Sequence, residues 1–250
     1  MWDYYLGGAH NFAIDRQAAE QILLLHPDMP LVAQVTRAFL RRVVEFLVGQ
    51  GIDQFLDIGA GIPTVGSVHE IAQRFTPTAR VVYVDHDPVA VAHSQAILSG
   101  AANAMAIRAD ARRPQEILDH PAVRNLLDWG RPTGVLAIAL FHFIPDDNEV
   151  LSIIRVLHDA MASGSYLALT HASADTLDRA SAEQGEALYK RATAPLRFRS
   201  RDGILRLFEG FELIDPGLVF IPLWRPESAD DLMLDTPDRI ANYAGVGRKL

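Results

Sequence analysis

Phe55-Leu56-Asp57-Ile58-Gly59-Ala60-Gly61-Ile62-Pro63 is the stretch whose reading decides the fold. A short apolar run enters a Gly-x-Gly turn, and a helical pattern over Val65–Phe75 follows. Glycine has no Cβ and tolerates unusual dihedrals, so at such a turn the backbone can approach a ligand closely. The same residues also suit a tight strand–helix turn without a ligand, and Gly-x-Gly alone does not separate the two. The fuller dinucleotide pattern Gly-x-Gly-x-x-Gly is not met. Its third glycine falls at Thr64, and Pro63 removes a backbone donor where a pyrophosphate would sit.

Working outward, the period of the apolar pattern places strands at Gln54–Ile58, Arg80–Val84, Ala104–Arg108, Gly134–Leu140 and Ser165–Thr170. Helical stretches lie between them at Val65–Phe75, Val89–Leu98, Gln115–Leu127 and Asp147–Met161. Strands alternating with helices predict right-handed βαβ units, and continuous apolar strands fit a sheet covered on both faces. Upstream, Ala18, Ala19, Ile22 and Leu23 share a helical face. Leu31, Val35, Ala38, Phe39, Val43, Phe46 and Leu47 share another, ended by Gly49 and Gly51. Downstream, an insertion over 171–210 carries helical patches at Ser181–Arg191 and Arg201–Phe208. Strand pieces at Phe211–Ile214 and Leu218–Ile221 flank Pro216-Gly217, Leu223–Asp238 reads as loop, and Asn242–Lys249 as a last strand. The expected organisation is one domain over 1–250, with residues 1–50 a helical extension or lid and 171–210 an insertion near the acceptor side.

Composition limits what this fold does. The 250 residues carry 23 Lys+Arg against 31 Asp+Glu, a net charge of −8, which argues against a phosphate track for nucleic acid. Cysteine is absent, which removes disulfides, thiolate zinc and iron–sulfur sites and a cysteine nucleophile. The longest apolar run, Gly134–Ile144, contains His142 and falls short of the roughly 20 residues of a membrane helix. The first residues show no basic segment of a signal peptide, so a cytoplasmic protein without a membrane or nucleic-acid partner is expected. His69-Glu70-Ile71-Ala72-Gln73 lacks the second His of a zinc helix, and no metal site is expected. Neither a Gly-x-Ser-x-Gly elbow nor a P-loop occurs. The arginines at 191, 197, 199, 201 and 206 read as a solvated or salt-bridged face rather than an anion site.

Asp57, Asp85 and Asp110 fall at or near the ends of successive strands. Ligands of open α/β sheets sit outside the carboxyl ends of the strands, so the joint pattern is more specific than any one carboxylate. Asp85 closes the second strand and can accept both hydroxyls of a ribose. Asp87, before Pro88, suits a helix cap instead. Asp110 can accept from an adenine amino group while Ala111 offers its N–H, or it is a polar loop residue.

The Asp57–Pro63 turn, Asp85 and Asp110-Ala111 resemble the motifs of class I S-adenosylmethionine-dependent methyltransferases. The closer resemblance is to the actinobacterial S-adenosyl methyltransferase family once labelled a domain of unknown function. It is carried by Tyr4-Tyr5-Leu6-Gly7-Gly8-x-x-Asn11-Phe12, Thr36-Arg37-Ala38-Phe39-Leu40-Arg41-Arg42, Phe55–Pro63, Arg191-Ala192-Thr193-Ala194-Pro195 and Gly245-Val246-Gly247-Arg248-Lys249, and spans nearly the whole chain. It implies a Rossmann-like, doubly wound, mostly parallel seven-stranded sheet with a late antiparallel strand, an N-terminal helical extension, and S-adenosylmethionine as cofactor. By the same resemblance Gly59, Ala60 and Gly61 line the methionine moiety and Asp57 orients the turn and reaches the amino group. Asp85 holds the ribose, His86 lies against the adenine face, Asp110 and Ala111 hold the adenine, and the backbone of Ala139 and Leu140 passes near the sulfonium.

His142, just past the fourth strand, is the candidate general base, since imidazole titrates near neutrality; the alternative is a structural histidine beneath the site. His171 is the second choice. At the N-terminus, Tyr4, Tyr5 and Phe12 either staple the first helix to the body or close over the cofactor as a lid. In the lid reading Tyr5 faces the sulfonium and Arg37 meets the methionine carboxylate. The expected function is methyl transfer to a small-molecule acceptor. The alternatives are a non-catalytic S-adenosylmethionine-binding regulator and a nicotinamide oxidoreductase, the latter disfavoured by Thr64.

Overall fold

The computed structural model describes residues 1–64, 66–176, 195–228 and 231–250. Three helices come first: α1 (Trp2–Tyr5), α2 (Ala13–Leu25) and α3 (Met29–Gly49). Then β1 (Gln54–Ile58), α4 (Val68–Phe75), β2 (Arg80–Asp85), α5 (Pro88–Ile97), β3 (Ala104–Arg108), α6 (Pro114–Asp119), α7 (Pro121–Leu126), β4 (Gly134–Ala137), α8 (Asp147–Ala160) and β5 (Tyr166–Ala172) alternate. A short helix at Arg201–Leu205 precedes β6 (Phe211–Leu213), β7 (Val219–Phe220) and β8 (Asn242–Lys249). No helix among the described residues is long and apolar enough to cross a membrane.

The sheet order is β3-β2-β1-β4-β5-β8-β6, with β7 also on β8. The pairs among β1 to β5 are parallel, and β8 runs antiparallel to β5 from Tyr166↔Arg248 to Ala172↔Asn242. The doubly wound, mostly parallel architecture is as expected, but among the described residues the sheet has eight strands rather than seven. One edge position is shared by two pieces, because Pro216 and the left-handed Gly217 interrupt the chain between β6 and β7, which both pair with β8. The order reverses between β1 and β4, and the crevice at such a switch point is where ligands of this architecture bind.

Adjacent strand residues serve opposite faces. Phe55 packs with Phe39, Val43, Leu47 and Trp224, whereas Leu56 packs with Val82, Ile117, Val135 and Ile153. Both faces are thus covered, which is why the strands lack polar alternation. Helix α3 buries Val35, Phe39, Val43 and Leu47 on the sheet, and at its end Ile52 N–H donates to the Leu47 carbonyl at 3.0 Å. Helix α2 packs instead in a small separate cluster of Tyr5, Ala19, Ile22 and Ala33.

Several boundaries differ from expectation for local reasons. Helix α4 begins at Val68, where Ser67 and Glu70 form a capping box, rather than at Val65. His120-Pro121 splits the expected Gln115–Leu127 helix into α6 and α7. β4 stops at Ala137 because Ala139 turns left-handed, with φ 54°. The helical patch at Arg201–Phe208 is present as Arg201–Leu205 and a 3-10 turn, while Ser181–Arg191 lies outside the described residues.

Candidate cofactor site

A cavity of about 360 Å³ lies at the carboxyl ends of β1, β2 and β4, beneath the N-terminal helices. Its glycine turn is held from three sides. Gly59 (φ 73°) and Ala60 both donate to the Val84 carbonyl, at 2.8 and 3.1 Å, prolonging the β1–β2 ladder. Gly61 (φ 62°) donates its N–H to Asp85 Oδ2 at 2.8 Å, and Ser94 Oγ donates to the Gly61 carbonyl at 3.2 Å. A Cβ on Gly59 would lie 2.6 Å from Leu140 Cδ1, so the turn requires glycine there on two counts. The second Asp85 oxygen accepts the Asp87 N–H at 2.9 Å, and His86 Nδ1 lies 3.5 Å from it. Asp87 caps α5 by accepting the Val89 N–H, as the sequence suggested.

At the floor, Asp57 on β1 and Arg37 on α3 line the cavity and influence each other, yet form no ion pair or mutual hydrogen bond. Burial pushes the Asp57 carboxyl up to about 7, with Arg37 opposing the rise and Asp85 adding to it. Burial lowers the Arg37 guanidinium, whose one hydrogen bond is a long one to the Gly66 carbonyl, 3.4 Å. Beside them the buried Tyr83 hydroxyl accepts the His69 N–H at 2.9 Å, and Glu70 Oε2 accepts the N–H groups of Gly66 and Ser67. These bonds close the far side of the turn. A buried acid and a half-buried guanidinium that lack each other as partners suit a zwitterion with an ammonium and a carboxylate of its own.

The wall beyond β4 is Ile138, Ala139 and Phe143. The Ala139 N–H donates to Thr170 Oγ1 at 2.8 Å. His142 does not line the cavity: it is buried behind it, its Nδ1 accepting the Ala172 N–H at 3.4 Å. Burial, then His171 and Arg199, hold its pKa well below the usual imidazole range. His142 thus stands outside the lining of this cavity, where the general-base expectation would have it, and is held by the backbone of β5 as a structural imidazole would be. His171 is likewise internal, held down to about 3 chiefly by burial; its Nδ1 donates to the Ala172 carbonyl and its Nε2 accepts from Arg199. Arg199 also binds Asp147 at 2.8 Å and the carbonyls of Phe141 and Ile144, the salt-bridged role expected of the arginine cluster.

Other expected residues divide. Gly59, Ala60, Gly61, Asp85, His86, Ala139 and Arg37 line the cavity with Asp57. Asp110, Ala111 and Leu140 do not. Asp110 is gripped by Arg112 at 2.6 Å, which lowers its pKa, and Leu140 reaches the site only by covering Gly59. Tyr5 does not face the cavity either. It is buried among Ala19, Ile22 and Ala33, while Trp2, Asp3, His10 and Phe12 of the same segment form the cavity's cover. Thr36, Leu40, Ser67 and Tyr83 are lining residues the sequence reading passed over. Of these only Ser67 carried a local signal, the Ser-x-x-Glu capping box. Among the described residues no group of acidic and histidine side chains is arranged to hold a metal ion.

A glycine turn at the switch point, with Asp57 in β1 and Asp85 closing β2, is the arrangement expected of a class I S-adenosylmethionine-dependent methyltransferase. The chain belongs to the S-adenosyl methyltransferase family, whose model matches residues 1–250. It is similar to a crystal structure of a methyltransferase candidate from Thermobifida fusca, at 37% identity and TM-score 0.92, covering 99% of this chain and 92% of that one. It is similar also to a DUF574-family protein from Streptomyces avermitilis, at 35% identity and TM-score 0.92, covering 100% and 95%. An S-adenosylmethionine-dependent methyltransferase from Methanosarcina mazei shares the fold, at 14% identity and TM-score 0.53 over 80% of this chain and 93% of that one. A comparison with the curated proteins finds no match. The protein is thus an S-adenosylmethionine-dependent methyltransferase.

Proposed function

We propose that the cavity holds S-adenosylmethionine with Asp57 toward the ammonium, Arg37 toward the carboxylate and Asp85 on the ribose hydroxyls, and that the acceptor is a small molecule. The observation that carries this reading is the Asp57–Arg37 pair, a buried carboxyl and a half-buried guanidinium that line one cavity beside the glycine turn without pairing to each other. When bound, the cofactor supplies a methyl group already activated on a sulfonium. The chain's own part is to orient the two ends and exclude water: Gly59 and Gly61 allow close backbone approach, and Trp2 and Phe12 cover the opening. His86, exposed beside Asp85, and Asp110 with Ala111, just past β3, are placed toward the nucleobase side in this reading.

A small acceptor is supported by the apolar wall of Leu40, Ile138 and Phe143 and by a net charge of −8, which disfavours a phosphate backbone. With His142 buried behind the wall, the reading relies on alignment rather than on that imidazole as a base. The test is calorimetry with S-adenosylmethionine, S-adenosylhomocysteine and NAD, followed by turnover to S-adenosylhomocysteine against an acceptor library. Binding of the first two alone, with turnover on a small acceptor, is expected. Tighter binding of NAD, or turnover only on nucleic acid or protein, would overturn the proposal.

A further inference from the structure

The segment Ile138–Ile144 leaves the sheet where the β4–β5 ladder ends at Ala137↔Leu169. One step further the main chain of β5 no longer supplies a partner, and a side chain does: Thr170 Oγ1 accepts the Ala139 N–H at 2.8 Å. Two residues on, the ladder is replaced in the other direction, as the Ala172 N–H donates to His142 Nδ1 at 3.4 Å. Between them His171 Nε2 accepts from Arg199, whose guanidinium also takes the carbonyls of Phe141 (2.9 Å) and Ile144 (2.8 Å). Three successive residues of β5 thus grip the turn after β4.

What they grip is under strain. Ala139 has φ 54°, a conformation disfavoured for a residue with a Cβ, at a position that lines the cavity. Its neighbour Leu140 presses on Gly59, where the smallest added group would sit 2.6 Å away. Such a backbone persists only when its surroundings over-determine it. We propose that Thr170 and His142 are positioning residues, which hold Ala139 left-handed and so set the distance between the post-β4 wall and the glycine turn in the cofactor cavity. This rests on the cofactor reading above. It gives His142 a function that needs no proton transfer, and it gives one to Thr170, which lies 1% exposed on β5 behind that wall.

The experiment compares wild type with Thr170→Val and Thr170→Ser, and with His142→Leu and His142→Asn, by calorimetric titration with S-adenosylhomocysteine and by thermal melting. The first variant of each pair loses the acceptor and the second keeps one. Loss of one fixed hydrogen bond to the wall is expected to weaken binding about tenfold in Thr170→Val and His142→Leu, with the conservative variants within about twofold of wild type. Affinity unchanged in a folded Thr170→Val, or lost equally in Thr170→Ser, would overturn the role of the hydroxyl. The corresponding results with His142→Leu and His142→Asn would overturn that of the imidazole. Should the Val variant not fold, amide exchange in the wild type decides. The Ala139 N–H exchanges as slowly as the β4 ladder amides if the bond is formed, and rapid exchange refutes it. Failure of the wild type itself to bind would count against the cofactor reading rather than the grip alone.

Discussion

Replacing Asp85 with alanine tests the site most directly. Its two oxygens already accept the N–H groups of Gly61 and Asp87, at 2.8 and 2.9 Å, which aims the carboxylate before any ligand arrives. A carboxylate offers about four lone-pair positions, so two ribose hydroxyls can be added without expelling either amide. At about 1.5–3 kcal/mol for each hydrogen bond to a charged group, two such bonds sum to about 3–6 kcal/mol. The lower end is the sounder expectation, because the glycine turn loses its tether at the same time and relaxes to recover part of the loss. About 3 kcal/mol corresponds to a weakening on the order of 100-fold. Asp85→Asn does not rescue, since its amide must turn an NH2 toward one of those two N–H donors. The assay is isothermal titration with S-adenosylmethionine below the melting transition of each variant. Affinity within about threefold of wild type in a folded Asp85→Ala would refute the ribose assignment. Asp110→Ala should cost less, since its carboxylate is taken by Arg112 outside the cavity lining, and the reverse order would refute the same reasoning.

Cofactor affinity is expected to fall about tenfold between about pH 8 and about pH 6, because Asp57, raised to about 7, must be ionised to pair with an ammonium. Titrations of Asp57→Asn should show a flat profile over that range, and a slope kept in the variant assigns it elsewhere. Gly59→Ala places a Cβ 2.6 Å from Leu140 Cδ1 at φ 73°, so a loss of at least about 1–2 kcal/mol by denaturant titration is expected, with binding abolished. Tyr5→Ala should lower stability by about 3 kcal/mol with affinity retained in the folded fraction, since Tyr5 packs on Ala19, Ile22 and Ala33. Trp2→Ala should lower affinity in the folded fraction as well as stability, since Trp2 lines the cavity and also packs on the same cluster, and calorimetry with melting on the pair separates staple from cover.

The parts of this molecule legible in the sequence are those where burial and direction coincide. The expected bounds of β1 and β3 match to the residue because each apolar run stops where the chain turns, and those of β8 match as well. The expected β4 is three residues too long because Ile138–Leu140 stay apolar after the backbone has left the ladder at Ala137. Apolarity reports enclosure, and a left-handed alanine leaves no trace in composition. The same distinction sorts the site. Asp57 and Asp85 were readable because a strand end fixes where its last residues project, whereas Asp110 was spent on Arg112, a pairing that depends on the path of the loop. Phe141 and Phe143, flanking His142, were the available sign of its burial. Tyr5 and Trp2 are near neighbours in one short helix, and which of them meets the cavity depends on the long-range packing of α1 against α2 and α3.

The two carboxylates of the site differ in what the free protein does with them. Asp85 is satisfied in advance by two amides and is already aimed. Asp57 sits buried near Arg37 without pairing to it, and burial raises its pKa from 3.8 to about 7. The sign follows from proton linkage. The folded chain holds that proton more tightly than the unfolded chain, so this group's contribution to stability declines as pH rises from about 4 through about 7. Above that it amounts to a cost of roughly 4 kcal/mol. An ammonium arriving beside Asp57 offsets the burial penalty on its charged form, so binding recovers free energy that folding had given up, and it does so for a ligand with a positive charge at that point. The left-handed Ala139 in the same cavity lining is a second strained element, held by Thr170. Both are features that selection for stability alone would remove, by asparagine at 57 and glycine at 139. Their presence in the lining of one cavity, among strands whose local preferences otherwise agree with the fold, is the physical mark of a site built for a ligand.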